Sequence, residues 1–379
     1  MSNDPRPTPW AVGWEQRPWT ADPHDAGLRS RRARVRAAGP YRAALPARIA
    51  RLGLDLPSDL ATEVEEATAA VVRFDAEISH ALPGLTGEIA PIDAVLLRTE
   101  SASSSQIEHI TAGARALALA TLGERTRPNA ALVAANVRAM GAASRLAADL
   151  EEPALLAAHR ALMDGQEHAR PGAYRDAQGW IGGGAPTPHT AQFVPPHPER
   201  LRAGMDDLFA YLRRTDVPAL VQAAIAHAQF ETIHPFADGN GRTGRLWHTL
   251  LLSHWRSLLA WLPIESVIRG RQADYYAAIA SSNTAGTSDS FVTFMLTIIR
   301  DALIPYASDS PAQDRQERTL SFFKADPSAT TIADLAGHLE CARRTAERIV
   351  SDLRRSGRLR REGSARAGTW RVIEEGDSA

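Results

Sequence analysis

Residues 234–245 read His-Pro-Phe-Ala-Asp-Gly-Asn-Gly-Arg-Thr-Gly-Arg, a base, a carboxylate, an amide, glycines and two arginines in twelve positions. Gly239, Asn240 and Gly241 can adopt left-handed backbone that turns successive N–H groups toward an anion. Arg242 and Arg245 are three apart and share a helix face, where both guanidiniums can fork onto phosphate oxygens. Asp238 is a hard oxygen ligand suited to Mg²⁺ shared with those phosphates. His234 is the proton acceptor available at neutral pH. Together these types describe a phosphate site with a base beside it.

The elements that must position them are two helices. Apolar residues at Val217, Leu220, Val221, Ala224, Ile225 and Ala228 have helical spacing. Pro235 and the glycines interrupt that run. Residues 246–261 are largely apolar without Gly or Pro, so a buried helix restarts near Arg242, and its first turn offers unpaired N–H groups and a positive dipole end. A calcium loop beginning at Asp238 fails because Arg242 takes an acidic position and Thr249 stands where a bidentate Glu belongs. A Walker phosphate loop fails because the only lysine, Lys324, is far from such a glycine pattern.

The segment resembles the signature of the Fic family, His-Pro-Phe-x-Asp/Glu-Gly-Asn-Gly-Arg-x-x-Arg, and matches it at every fixed position. The resemblance implies transfer of AMP from ATP to a hydroxyl side chain (Ser, Thr or Tyr) of a target protein. It implies His234 as base, Asp238 on Mg²⁺, Gly239, Asn240 and Gly241 on the α- and β-phosphates, and Arg242 and Arg245 on the β- and γ-phosphates. Phe236 is expected to be a core anchor.

Upstream, a serine cluster carries Ser105-x-x-Glu108, which fits a capping box at a helix start. Ser104-x-x-x-Glu108 also resembles the family's inhibitory motif, Ser/Thr-x-x-x-Glu-Gly/Asn, in its N-terminal placement, with His109 in place of the final Gly/Asn. That resemblance implies that Glu108 pairs with Arg245 and occupies the place of the γ-phosphate. Residues 171–198 are rich in Gly and Pro, and the short extended piece at Trp180, Ile181 and Gly182 suggests a hairpin. Gly172-Ala173-Tyr174-Arg175 before it and Pro195-Pro196 after it resemble the landmarks of the Fic flap, which implies docking of a target segment by strand addition. Tyr276 and Asn283 look like the family's adenine-side residues, with Thr287-Ser288 intervening between Gly286 and Asp289. His159, His189 and His197 are read as structural or incidental.

A chain of 379 residues with 44% hydrophobic content supports a sizeable core and two or three domains. A formal net charge of −1 gives no global pull toward nucleic acid or membrane, and one cysteine, Cys341, excludes an internal disulfide framework. With no run of about eighteen apolar residues and no signal-peptide core, a cytoplasmic protein without membrane contact is expected. Residues 1–27, with Trp10, Trp14 and Trp19 among prolines, are expected to pack across another surface. Residues 46–54 and 58–78 read as helical. Residues 307–316 with Pro311 read as a hinge, and residues 331–373 as helix, helix and two-stranded wing, a winged helix-turn-helix pattern. Its Arg343, Arg344, Arg348, Arg358, Arg360, Arg361 and Arg366 would meet DNA, diluted by Asp334, Glu340, Glu347, Asp352 and Glu362, or would be solvated on a module that binds protein.

The fold expected is mainly α, a Fic-type helical core with a small β-hairpin flap, a helical N-terminal region and a C-terminal winged helix-turn-helix. The expected divisions are 1–97, 98–308 and 317–379. The function expected is protein adenylyltransferase, restrained by Glu108, with ATP as substrate, Mg²⁺ as cofactor and a target protein as partner; a homodimer is left open. Two rivals stand beside it: removal of AMP or transfer of another phosphate group at the same site, and a nucleotide-sensing DNA-binding regulator.

Overall fold

A computed structural model of the chain describes residues 10, 12–19, 31–36, 39–81, 90–124, 127–146, 151–182, 185–255, 262–284, 287–304, 311–325, 331–339, 341–362 and 369–373. The protein is mostly helical with small antiparallel strand pairs, and it forms two compact units. One unit comprises Met1–Asp55 and Asp75–Ala302; the other comprises Leu56–Phe74 and Leu303–Ala379.

In the first unit, β1 (Gly13–Arg17) pairs antiparallel with β2 (Tyr41–Leu45), and α1 (Arg31–Arg36) lies between them in sequence. β2 also bonds onward, Ala44 N–H donating to the Val194 carbonyl at 2.9 Å. The described part of the tryptophan-rich segment packs on other surfaces: Trp10 is buried with its indole N–H on the Ser282 carbonyl at 2.7 Å, and the Trp19 ring meets Tyr41 and Trp180 edge-on, while residues 1–9, 11 and 20–27 lie outside the described residues. Residues 46–54 are not helical, contrary to the expectation from their apolar spacing. Their backbone groups find partners elsewhere: Asp207 accepts from the N–H groups of Ile49 and Ala50, Gln229 donates to the Ala47 carbonyl, and Arg214 donates to the Leu52 carbonyl. Side-chain partners thus satisfy the polar backbone that a helix would have satisfied internally.

The helices of this unit continue with α2 (Ser58–Ala81), whose first part belongs to the second unit, then α3 (Ala90–Ile107), α4 (Ala114–Thr121), α5 (Pro128–Leu146) and α6 (Glu152–Leu162). After the Gly- and Pro-rich segment come α7 (Pro198–Leu212), α8 (Ala219–Ile233), α9 (Asn240–Trp255), α10 (Ile264–Gly270), α11 (Gln272–Ser282) and α12 (Asp289–Leu303). α8 is buried on every side from Leu220 to Ile233, apart from Gln222, and α7, α9 and α11 pack on it. α9 approaches it closely at Gly244, where a Cβ would lie 2.5 Å from Glu231 Oε1 and 2.9 Å from the Phe230 ring. α3 packs on α5, α9 and α10, which brings the serine cluster to the start of α9.

In the second unit, α13 (Pro311–Ala325), α14 (Ile332–His338) and α15 (Arg343–Arg355) precede β3 (Leu359–Glu362) and β4 (Thr369–Val372), paired antiparallel. Leu320, Phe323, Leu335, Ile349, Leu353 and Trp370 form its core. Residues 311–316, read as a hinge, are the first turns of α13; proline is tolerated at a first helical position because its missing N–H has no intrahelical partner there. The rest of that stretch, Glu340, the wing tip with Arg366, Gly183-Gly184 and Gly286 lie outside the described residues.

Candidate active site

His234 ends α8 in left-handed backbone, φ 49° and ψ 61°, a conformation that costs a residue with a Cβ about 1–3 kcal/mol. Arg175 holds it there. Its buried guanidinium donates to the His234 carbonyl (2.9 Å) and to the carbonyls of Pro196 (2.6 Å) and Ala177 (3.0 Å), while its own N–H donates to the Pro235 carbonyl. One arginine thus ties the turn at His234 to both ends of the segment read as a flap. Burial without a carboxylate partner lowers its pKa to about 10.

The turn after His234 is closed by its own side chains. Asn240 clamps Phe236, accepting from its N–H (2.8 Å) and donating to its carbonyl (2.9 Å), so the amide side chain shapes the loop. Asp238 Oδ1 accepts from the Gly239 N–H at 2.6 Å, and Gly239 has φ +78° with Met163 against the place of a Cβ. Beneath the turn, Phe236 is buried and stacks on His159 at 3.7 Å between ring centres. His159 Nδ1 accepts from the Gly172 N–H (2.9 Å), which assigns the ring proton to Nε2 and makes it donor to the Asp238 carbonyl (3.1 Å). Burial lowers the His159 pKa to about 4, so the ring is neutral. His159 is structural as expected, and the structure it supports is the turn itself.

The polar groups facing this turn are incompletely used. His234 has a pKa lowered to about 4, first by burial and then by the nearby Arg175 charge, and its Nδ1 has no hydrogen-bond partner. A ring with that pKa is unprotonated at neutral pH. Arg242 is buried, its Nη2 lies 3.5 Å from the Met163 sulfur, and its Nε and Nη1 have no partner. Leaving a buried guanidinium N–H unpaired costs more than any neutral donor, so two such atoms in one side chain mark a place for an anion.

The first helical bond of α9 runs from Thr243 N–H to the Gly239 carbonyl, which leaves the preceding amides at the positive end of the helix. The Glu108 carboxylate stands against this turn: a Cβ on Gly241 would collide with Glu108 Oε1. The same oxygen accepts from Arg245 Nη2 at 3.0 Å. Arg245 is buried and its Nη2 also donates to the Ser104 carbonyl (2.9 Å), its Nε to Ser104 Oγ (3.2 Å). Ser104 and Glu108 therefore meet Arg245 from one face of α3.

Glu108 follows the last turn of α3. The Glu108 N–H donates to the Ser105 carbonyl, and His109 takes left-handed backbone, φ 60°. The capping-box reading of Ser105 and Glu108 is thus overturned. Those residues stand at the C-terminal end of the helix, where no free N–H awaits a Glu, and Ser105 Oγ donates to the Ser101 carbonyl.

Two buried carboxylates that the sequence reading did not single out, Glu265 and Glu231, join the site. Glu265 Oε2 lies 3.0 Å from Arg245 Nε, an ion pair whose alignment falls short of a hydrogen bond, and its pKa rises to about 7 by burial against the opposing pull of Arg245. Glu231, on α8, also rises to about 7 by burial. Tyr276 is exposed and its hydroxyl donates to the Ile107 carbonyl (3.3 Å), beside Glu108; Asn283 is buried and accepts from Thr232 (2.7 Å). In the glycine-rich segment one antiparallel bridge, Ile181 with Phe193, stands where a hairpin was expected. Trp180 donates to the Ala185 carbonyl, and Gly182 has φ +105° with Gln192 where a Cβ would be. His189 Nε2 donates to the Gly39 carbonyl and His197 caps α7; neither reaches the turn.

Asp238 fits a metal partly coordinated by substrate. Its carboxylate is half exposed, and besides the Gly239 N–H it has only His168 Nε2, 3.4 Å from Oδ2. Among the described residues no group of three or more His, Cys, Asp or Glu could hold a metal ion, so phosphate oxygens and water would complete the shell.

Residues 149–252, which contain the turn, match the Fic/DOC family. The chain carries a Fic domain. This Fic domain is 29% identical over 132 residues to "Protein adenylyltransferase fic-1" of Caenorhabditis elegans, 34% of this chain and 23% of that protein. It is 30% identical over 165 residues to "Protein adenylyltransferase Fic" of Drosophila erecta, 42% of this chain and 30% of that protein. The matches therefore span less than a third of those relatives. The crystal structure of a Fic family protein from Desulfovibrio desulfuricans G20 is similar over 86% of this chain and 98% of that one, with 29% identity and a TM-score of 0.56. Among the described residues no helix is long and apolar enough to cross a membrane.

Proposed function

We propose that the protein transfers AMP from ATP to a hydroxyl side chain of a target protein, and that Glu108 restrains it. The observation that carries the reading is the pairing of an unprotonated His234, whose Nδ1 has no hydrogen-bond partner, with the unsatisfied donors of Arg242 at the start of α9. The acceptor oxygen attacks the α-phosphorus, the bond to the bridging oxygen breaks, pyrophosphate leaves, and the hydroxyl proton passes to His234. Arg242, Arg245 and the amides at Gly239 and Gly241 take the charge on the phosphates. Asn240 contributes by holding Phe236 and hence the shape of the turn. Asp238 would hold Mg²⁺, which when bound neutralises phosphate charge. Tyr276 offers a flat exposed ring near the end of α3 for the base, with Asn283 behind it.

Glu108 supports the restraint because its carboxylate already takes Arg245 Nη2, a donor a terminal phosphate needs, and stands against Gly241 in the first turn of α9. The flap, at Trp180, Ile181 and Gly182, lends its edge to the target segment. ATP labelled at the α-phosphate, incubated with the protein and lysate, should leave label on protein after denaturation; label from the γ-position alone would redirect the reading to phosphate transfer. Loss of label from an AMP-modified target would instead favour removal of AMP.

A further inference from the structure

Arg245 has a second carboxylate, and the helix that carries Glu108 builds it into place. Glu100 and Ser104 are four apart on one face of α3, and Glu108, four further on, follows its last turn. Glu100 is buried and accepts from the N–H groups of Glu265 (2.7 Å) and Ser266 (3.4 Å) and from Ser266 Oγ (2.5 Å), while Ser103 and Ser266 hydroxyls meet at 3.0 Å. These contacts fix the start of α10 and with it Glu265, which is almost wholly buried 3.0 Å from Arg245 Nε. Ser104 contributes two further acceptors to the same guanidinium. Glu108 is different in kind: its side chain is 33% exposed, it follows the last turn, and it is flanked by the left-handed His109.

We propose that Glu265 is a positioning residue for Arg245: with Ser104 it keeps the guanidinium in the cleft when Glu108 withdraws, so that restraint is lifted by one side chain while α3 stays. The inference rests on the nucleotide-binding role of Arg245 given above. A buried guanidinium whose only carboxylate departed would follow it or leave for water, because an unpaired buried charge costs several kcal/mol. Held at its Nε edge, it keeps Nη1, which has no partner, and the vacated Nη2 facing the phosphate position. Displacing α3 as a body would remove Ser104 and the support of Glu265, and so dismantle the site it was supposed to open.

The test compares equilibrium binding of ATP and of AMP to the full chain in the Glu108→Gly background, since AMP lacks the phosphates that Arg245 would hold. Glu265→Ala should weaken ATP about tenfold and leave AMP within about twofold; Glu265→Gln, which keeps the volume and one acceptor oxygen, should weaken ATP about threefold. Neither change should weaken ATP further once Arg245→Ala is present. Equal losses for ATP and AMP, or ATP binding unchanged or tighter, overturn the positioning role. Should the alanine variant fail to fold, the isosteric glutamine carries the same comparison. Arg245→Ala alone is the control for the underlying reading: if it does not change the ATP-to-AMP ratio, that reading fails whatever Glu265 does.

Discussion

The turn at the start of α9 and the surface of α15 are both rich in arginine, and they use it in opposite ways. Arg175, Arg242 and Arg245 are buried, and the last two keep donors that no protein group accepts. On the other unit, Arg344 is half exposed and paired with Glu63 of α2, Arg343 with Glu347, Arg355 with Asp352, and Arg371 with Glu362. Surface pairs of that kind contribute about 0–1 kcal/mol and need no ligand to exist. Buried guanidiniums with spare donors are stable only because the surrounding fold over-determines them, and a ligand with negative charge relieves the cost. Charge count alone would rank the two regions alike; burial and pairing separate them.

The sharpest break in that comparison is expected at His234. His234→Ala should lower transfer by roughly 10² to 10⁴ while ATP binding stays within about twofold, because phosphate contacts belong to other residues. Arg242→Ala should do the reverse, weakening ATP about ten- to a hundredfold through loss of charge-assisted bonds worth about 1.5–3 kcal/mol. Labelling of protein by α-labelled ATP and a direct binding titration on the same preparations check both.

Next in size is Glu108. Glu108→Gly should raise labelling about ten- to more than a hundredfold, since a charge-assisted pair is removed from competition with ATP. With no amide for Glu108 to cap, its removal should not reproduce the stability loss of a missing N-cap. An unchanged rate alongside a lowered melting temperature would mean that Glu108 is a structural partner of Arg245 and nothing more.

The contiguous part of this site was legible in the sequence because its residues are neighbours whose types have few joint uses. Glu265, Glu231, Arg175 and His159 come from other segments, and their signals were weaker: an acid inside a largely apolar run at 264–268, and an acid with a histidine on a largely apolar α8. Only the fold converts such anomalies into neighbours of Arg245 and the turn. The capping box misled because Ser-x-x-Glu is a local pattern without direction, and here it stands at the end of a helix, Ala90–Ile107, instead of the start of one. Residues 46–54 misled because apolar spacing does not say whether backbone groups will be satisfied within the segment or by Asp207, Gln229 and Arg214.

A pH titration sharpens the contrast through stability. His159, His234 and His248 have folded pKa values near 4 and His227 lies well below its ordinary value, all through burial. The unfolded chain takes up these protons near pH 6.5 and the folded chain does not, so stability is lost as pH falls from about 6.5 toward 4. Glu231 and Glu265, raised to about 7, act in the other sense, favouring the fold below about 4.5 and losing that contribution as pH rises to 7. Four histidines outweigh two glutamates, so the net slope near pH 5 should be positive, at most roughly 2–3 kcal/mol per pH unit. Chemical denaturation at pH 5 and 7.5 measures it, and the Glu231→Gln, Glu265→Gln double variant should steepen the slope. A flat profile would mean that the histidines exchange protons freely in the folded state.

The smallest effect is expected on the second unit. If its arginines are mostly occupied by neighbouring acids, the full chain should bind mixed-sequence duplex DNA only in the non-specific range, about 10⁻⁴–10⁻⁶ M at physiological salt, with a slope of log affinity against log salt no steeper than about two released counterions. Arg344 is the informative residue, because Glu63 on α2 is nearly buried and holds it across the start of α15, the end that a major-groove helix would present to bases. Glu63→Gln should free that guanidinium and tighten DNA binding by about threefold or less. Wild-type affinity below about 10⁻⁷ M, a slope of four or more, and a large loss in Arg344→Ala would reverse the assignment. The pairing would then be a resting contact that DNA displaces, and the second unit would resemble the turn at the start of α9 after all, with an acid standing where a phosphate belongs.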